Sequence, residues 1–199
     1  SAAEAIKRMC FAKKGLLVGE FNVIFHDLFN GERGLYKQIM YILTGGMRLL
    51  SEIRKELNYS AEQEALVSLE DLMKNLCVSG FVDWHYHWNI EKEEKLQLGE
   101  YMYRILDPYS RLFLKVIEPR SQDIEKNIFA DIPGASLPGL DGIAGLQFEQ
   151  LLITNRRLMN HVLGVQPIEV LFYGPYRQFS SRGEPGVQVD FLLHTKDKT

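Results

Sequence analysis

Between residues 32 and 106 the hydrophobic residues change from a helical to an alternating period, and the order of these segments restricts the possible fold most strongly. ERGLYKQIMYILTGG has helical spacing and ends at a glycine pair, and the next residues predict a short helix with Ser51 as its N-cap. A third helix is predicted over residues 61–80, followed by a hairpin. Helix, helix, turn, helix and hairpin is the order of a winged helix-turn-helix.

The hairpin is predicted from the strands FVDWHYHWNI and EYMYRIL, with EKEEKLQLG as a charged turn. The alternation places His85 and His87 on one strand face, where they could share a metal, and Asp83 is the one nearby candidate for a third ligand. Catalytic zinc needs three protein ligands, so an aromatic wing strand is the favoured interpretation. The other face carries aromatic residues for packing or for a partner: Trp84, Tyr86 and Trp88.

The C-terminal part predicts fewer elements. Residues 107–119 predict a helix that begins at an Asp-Pro pair, and the segment 120–141, with its prolines and glycines, predicts a linker. GLQFEQLLITNRRLMNHVLG predicts one amphipathic helix, followed by the strands IEVLFYGPYR and GVQVDFLLHT. The apolar side of the predicted helix is formed by Phe148, Leu151, Leu152, Met159, Val162 and Leu163. One helix and two strands give little core, so this half is expected to be incomplete.

Composition indicates a globular protein and excludes several classes. The hydrophobic fraction is 46% and the net charge is −3, which does not indicate general nucleic-acid binding. Cys10 and Cys77 do not make a disulfide framework, so a reducing, cytoplasmic location is predicted. No apolar run is long enough for a transmembrane helix, and no membrane association is expected.

The predicted third helix of the winged module has a net negative charge, which disfavours DNA recognition. Its acidic residues outnumber its one lysine, and phosphates repel such a surface. The acidic residues are Glu62, Glu64, Glu70 and Asp71. A structural or protein-contact role is therefore favoured over sequence reading.

Two carboxylates form a candidate metal site. Glu149 lies near the start of the predicted helix and Asp190 lies on the closing strand. If the strand packs beside the helix, both side chains can point into one space, and oxygen ligands of this kind bind Mg²⁺. The alternative is that both are ordinary solvated surface residues.

Four stretches resemble a known family: GLLVGEFNVIFHDLF, YRILDPYSRLFLKVIEP, GLQFEQLL and GVQVDFLL. Together they are similar to the C-terminal portion of a family of prokaryotic AAA-type ATPases. The resemblance implies a P-loop core before the winged helix, where ATP would bind, and a closing domain of the PD-(D/E)XK nuclease superfamily. Glu149 and Asp190 match the acidic helix and strand positions of that domain. Its next strand would carry an E-x-K signature, whereas Asp190 is followed here by Lys196 and Lys198 without a glutamate.

The resemblance sets the expected organisation. The fold class is α+β, a winged helix-turn-helix followed by an incomplete α/β, restriction-endonuclease-like half-domain. The expected ranges are a helical tail from the ATPase region, the winged helix, a linker and the partial nuclease-like domain: 1–20, 21–119, 120–141 and 142–199. No bound cofactor is expected, and Mg²⁺ would bind if the nuclease-like site is completed.

Three functions remain open at this level. The first is a non-catalytic fragment of such an ATPase, with the winged helix in contact with DNA or protein. The second is a DNA-binding module, with possible phosphate contacts at Arg156, Arg157, Arg177 and Arg182. The third is an interaction module that self-associates through the edge of the closing strand, aided by Trp84 and Trp88.

Overall fold

The computed structural model describes residues 1–29, 33–96, 101–180 and 185–196, and it has the predicted α+β composition of helices and small antiparallel sheets. The helical spacing of LLVGEFNVIFHDLFNG predicts a helix that ends at Asn30-Gly31, and this end lies outside the described residues. Within the described ranges, none of the helices combines the length and the apolar character that crossing a bilayer requires.

The helices are α1 Ala2–Ile6, α2 Glu20–Leu28, α3 Arg33–Leu43, α4 Leu50–Glu56, α5 Ala61–Leu66, α6 Leu69–Val78, α7 Pro108–Leu112, α8 Ser121–Glu125, α9 Asp141–Thr154 and α10 Arg156–Leu163. π-Helical turns extend α1 over Lys7–Phe11 and α7 over Phe113–Ile117. The strands are β1 Arg48–Leu49, β2 Val82–His85, β3 His87–Asn89, β4 Glu94–Leu96, β5 Met102–Ile105, β6 Val170–Gln178 and β7 Val187–Thr195.

The strands form antiparallel sheets around which the helices pack. One sheet has the order β1-β5-β2, so β5 is central, while β3 pairs with β4 and β6 pairs with β7. The main core combines apolar side chains of α2, α3, α4, α6 and the extended α7 with those of the first sheet. Burial of this apolar surface supplies the main stabilising free energy of the fold.

Segments 1–20 and 120–141 contribute to the same core. The rings of Phe11 and Phe129 meet edge to face with centroids 5.2 Å apart. The backbone N–H of Gly134 donates to the Glu4 carboxylate at 2.7 Å, and Ile124 is fully buried. The segment 120–141, which the sequence predicts as a linker, thus packs side chains into this core.

Two predicted helix features were wrong in detail. The helix predicted over 61–80 is divided, because Val67 is extended and its carbonyl accepts a hydrogen bond from Tyr59 Oη at 2.8 Å. This break leaves Leu66 exposed, although α6 buries its predicted face. The N-cap of α4 is Leu49 and not Ser51, because β1 runs directly into the helix and Leu49 N–H donates to Glu52.

The helix predicted over 145–164 also divides, at Asn155, whose side-chain amide donates to the Leu151 carbonyl at 2.8 Å. Such side-chain bonds compete with the helical backbone ladder. The predicted apolar side does not face the core: four of its residues are exposed, namely Phe148, Leu151, Val162 and Leu163. Gln150 is buried in their place because it hydrogen-bonds to the neighbouring strand β5 and the residue after it.

The predicted wing strand is interrupted at Tyr86, so β2 pairs with β5 while β3 turns back on β4. Part of the expected charged turn is strand β4. The interruption separates the two tryptophans: Trp84 is 45% exposed, whereas Trp88 is 8% exposed and stacks on Phe172. The predicted common surface of Trp84 and Trp88 is therefore wrong.

Candidate carboxylate and arginine site

A polar cavity lies where the first sheet, α7, α9 and the β6–β7 hairpin meet. Its charged lining is formed by Arg48, Arg104, Arg111, Glu149 and Asp190. The loop after α3, with its glycine pair, and Pro175 of β6 complete much of the wall. Both predicted metal-site residues thus line one cavity, and each arginine comes from the part of the chain before residue 120.

The orientation of α9 places Glu149 at this cavity. The next residue, Gln150, is 4% exposed, and its amide donates to the Leu106 carbonyl at 2.7 Å while its oxygen accepts from Arg104. These bonds fix one face of the helix, because a buried amide must satisfy its hydrogen-bonding groups. Glu149, one residue earlier, is half-buried beside them.

Asp190 reaches the cavity from β7. The β6–β7 register shifts between Gly174 and Tyr176, and Asp190 lies opposite this irregularity. Burial and the nearby Asp190 charge raise the pKa of Glu149, while Arg111 and Arg104 oppose that shift. The two carboxylates are therefore close enough to repel each other, and a cation between them would relieve the repulsion.

Arg104 anchors the cavity floor. It is 6% exposed on the central strand, and its Nη2 donates to Asp83 Oδ2 at 2.9 Å. Its Nε donates to His85 Nε2 at 2.6 Å. Burial and the Arg104 charge lower the pKa of His85 to about 4, so the imidazole is neutral and can accept this hydrogen bond.

The predicted histidine pair does not form a metal site. His85 uses Nε2 for Arg104, whereas His87 lies beyond the strand break with its ring 5.3 Å from that of Phe179. Within the described ranges, no cluster of three or more histidine, cysteine or acidic side chains is arranged to hold a metal ion. His85 instead accepts a hydrogen bond from Arg104, and His87 packs against Phe179.

The predicted phosphate-contact arginines have different surroundings. Arg177 pairs with both carboxylate oxygens of Glu52, at 2.7 and 3.1 Å, and this lowers the pKa of Glu52. The Arg156 guanidinium lies 5.4 Å from the ring centre of Tyr173, and Arg157 is exposed. Arg182 lies outside the described residues.

Comparison with known proteins gives no family assignment. No protein-family model matches the chain, and neither a curated protein nor a solved structure matches it.

The sequence interpretation gave no role to Arg104, Arg111 or Gln150. Arg104 and Arg111 stand within the stretch that carries the family resemblance, each next to apolar residues. A charged residue inside a buried strand such as MYRI signals a specific partner, since unpaired buried charge is costly. Its partners lie 21 positions away at Asp83 and 46 positions away at Gln150, so only the fold identifies them.

Proposed function

We propose that this chain binds nucleic-acid phosphate together with a divalent cation, at the cavity that contains Glu149 and Asp190. The supporting observation is that these carboxylates share one cavity with Arg48, Arg104 and Arg111. Mg²⁺ commonly binds through one or two carboxylates and completes its shell with water and substrate phosphate. Arginine supplies complementary donors to the same phosphate.

The acid pair fits a cation. The pKa of Glu149 is raised partly by the Asp190 charge, so binding of Mg²⁺ would favour the ionised form of both groups. Glu149 and Asp190 would hold the metal, which would supply positive charge for phosphate binding. In the family that the sequence motifs resemble, the same two positions match the acidic residues of the nuclease-like domain, which supports the proposal.

In this proposal a winged helix-turn-helix is the scaffold of the site. The helix order α3, α4, α6, the sheet order β1-β5-β2 and the β3–β4 hairpin support a winged helix. The hairpin contacts the β6–β7 hairpin, where Trp88 Nε1 donates to His194 Nδ1 at 2.9 Å. A wing engaged in this way, beside an acidic third helix, favours a structural role over reading DNA.

Metal titration tests the cation part of the proposal. We expect Mn²⁺, followed by electron paramagnetic resonance, to bind the wild-type chain, and Glu149→Gln and Asp190→Asn each to weaken binding by about tenfold or more. Glu62→Gln removes an exposed carboxylate of α5 outside the cavity and is the matched control. Equal Mn²⁺ affinity in all four proteins would contradict the proposal.

Duplex DNA binding tests the nucleic-acid part. Fluorescence anisotropy at low salt should show binding that Mg²⁺ strengthens in the wild type but not in Asp190→Asn. Binding that is identical with Mg²⁺ and with EDTA would place the contact elsewhere, for example at Arg156 and Arg157. Cleavage of the duplex, lost on Asp190→Asn, would extend the proposal from binding to catalysis.

A further inference from the structure

Arg111 is buried and forms no salt bridge among the described residues, although the nearby Glu149 charge acts to raise its pKa. It lies on α7, where Asp107 caps the helix by accepting from Ser110 N–H at 2.8 Å. The side chain is 3% exposed, and its Nη1 donates to the Leu146 carbonyl at 3.4 Å and to Gln147 Oε1 at 3.2 Å. Within the part of the chain that the structure describes, its Nε has no hydrogen-bond partner.

The other arginines of the cavity differ in this respect. Arg104 pairs with Asp83 at 2.9 Å, and Arg48 pairs with Glu56 at 3.1 Å. Among the described residues Arg111 hydrogen-bonds only to neutral oxygens. Burial and the charge of Arg104 lower its pKa, and the charge of Glu149 opposes that shift. Burying a charge with an unsatisfied donor destabilises the folded state in general, so such a group indicates an anionic partner.

The cavity beside Arg111 could accommodate such an anion. Arg111 and Arg104 line it from α7 and β5, and the loop Gly45–Arg48 lines it as well. We infer that Arg111, with Arg104 beside it, forms an anion subsite that binds a phosphate group next to the Glu149 and Asp190 carboxylates. The assignment of that phosphate to a nucleic-acid strand rests on the proposed function, whereas the subsite itself rests on the unpaired guanidinium.

Phosphate suits this subsite because of its charge and geometry. A guanidinium donates two parallel hydrogen bonds to neighbouring oxygens, which favours phosphate and carboxylate. The cavity already contains the carboxylates of Glu149 and Asp190. A phosphate group can accept from Arg111 while its remaining oxygens face a cation at those carboxylates, and a further carboxylate offers fewer oxygens for both contacts.

The direct test follows the arginine Nε–Hε signals of the ¹⁵N-labelled wild-type chain by nuclear magnetic resonance. Inorganic phosphate is titrated in EDTA at constant ionic strength, so that no metal contributes. We expect a saturable shift of the Arg111 signal, which Arg111→Lys identifies by its loss. A thymidine dinucleotide should shift the same signal and thymidine should not, which shows that the phosphodiester and not the nucleoside binds. A shift with inorganic phosphate but not with the dinucleotide would restrict the subsite to free phosphate.

Affinity variants complement the titration. Arg111→Lys keeps the charge but loses the two parallel donors, and it should weaken phosphate binding by about tenfold. Arg8→Lys changes an exposed arginine outside the cavity and should leave phosphate binding unchanged. If Arg111→Lys does not fold, through-bond assignment of the Arg111 Nε signal in the wild-type chain allows the same titration to decide the question.

The outcomes separate this inference from the proposed function. No Arg111 shift with phosphate or dinucleotide, while Mn²⁺ still binds through Glu149 and Asp190, would overturn the anion subsite alone. A phosphate-induced Arg111 shift without Mn²⁺ binding would support the subsite and contradict the cation part of the proposed function.

Discussion

The guanidinium of Arg104 donates a hydrogen bond to the side-chain oxygen of Gln150, which joins the central strand of the first sheet to helix α9. Gln150 also donates to the Leu106 carbonyl, so one buried amide bonds to β5 and to the residue that follows it. This contact holds the helix that carries Glu149 against the strand that carries Arg104. The candidate site therefore depends on packing between the two parts of the chain.

Replacing Gln150 with alanine should destabilise the protein. The change leaves the buried Arg104 donor and the Leu106 carbonyl without a partner, so the free energy of unfolding should fall by about 1–3 kcal/mol. Urea denaturation followed by circular dichroism measures this difference. Gln122→Ala, on the exposed surface of α8, is the control and should change stability by less than about 0.5 kcal/mol. Similar values for both variants would contradict the role given to Gln150.

The two tryptophans should respond differently to replacement by phenylalanine. Trp88→Phe loses the hydrogen bond to His194 and part of the stack on Phe172, so stability should fall by about 1–3 kcal/mol. Trp84→Phe, at an exposed position, should have a much smaller effect. Acrylamide should quench the fluorescence left in Trp88→Phe more strongly than that left in Trp84→Phe. The reverse order would show that β3 is not docked on the β6–β7 hairpin.

Ionisation of Glu149 should weaken the folded state. Folding raises the pKa of Glu149, so the folded state favours the protonated carboxyl. The resulting contribution to the free energy of unfolding is fully present below the pKa of the unfolded state and is lost as the pH rises through the pKa of the folded state. Glu149→Gln should therefore gain stability relative to the wild type at pH 7, and this gain should vanish near pH 4. Unfolding curves at the two pH values measure the difference, and Mg²⁺ should stabilise the wild type but not the variant. A gain of the same size at both pH values would contradict the pKa shift.

Both cysteines should be poorly reactive in the folded protein. Burial raises the pKa values of Cys10 and Cys77 to about 11, so little thiolate is present at pH 8. Reaction with Ellman's reagent should be slower than in denaturant by on the order of a hundredfold. Cys10→Ser and Cys77→Ser assign the rates, and Cys77 should react first because it is less buried than Cys10. Rapid labelling of Cys10 would show that the segment around Phe11 opens readily.

Elements with strong local signals could be predicted from the amino-acid sequence. The alternating pattern of GVQVDFLLHT predicts β7, and the Asp107-Pro108 pair predicts the start of α7, where Asp107 accepts hydrogen bonds from the first helical N–H groups. The α+β class and the buried face of α6 were also predictable. In each case the information lies within a few neighbouring residues, so periodicity and capping are sufficient.

Only the tertiary structure decided which side chains meet in the cavity. Periodicity placed Phe148 and Leu151 toward the core, whereas the fold buries Gln150, because Arg104 and Leu106 supply its partners from far along the chain. The strand break at Tyr86 likewise accompanies a distant contact, the stacking of the Trp88 ring on Phe172. A buried polar side chain such as that of Gln150 needs hydrogen-bond partners. When these partners lie far along the chain, the local sequence pattern does not reveal them.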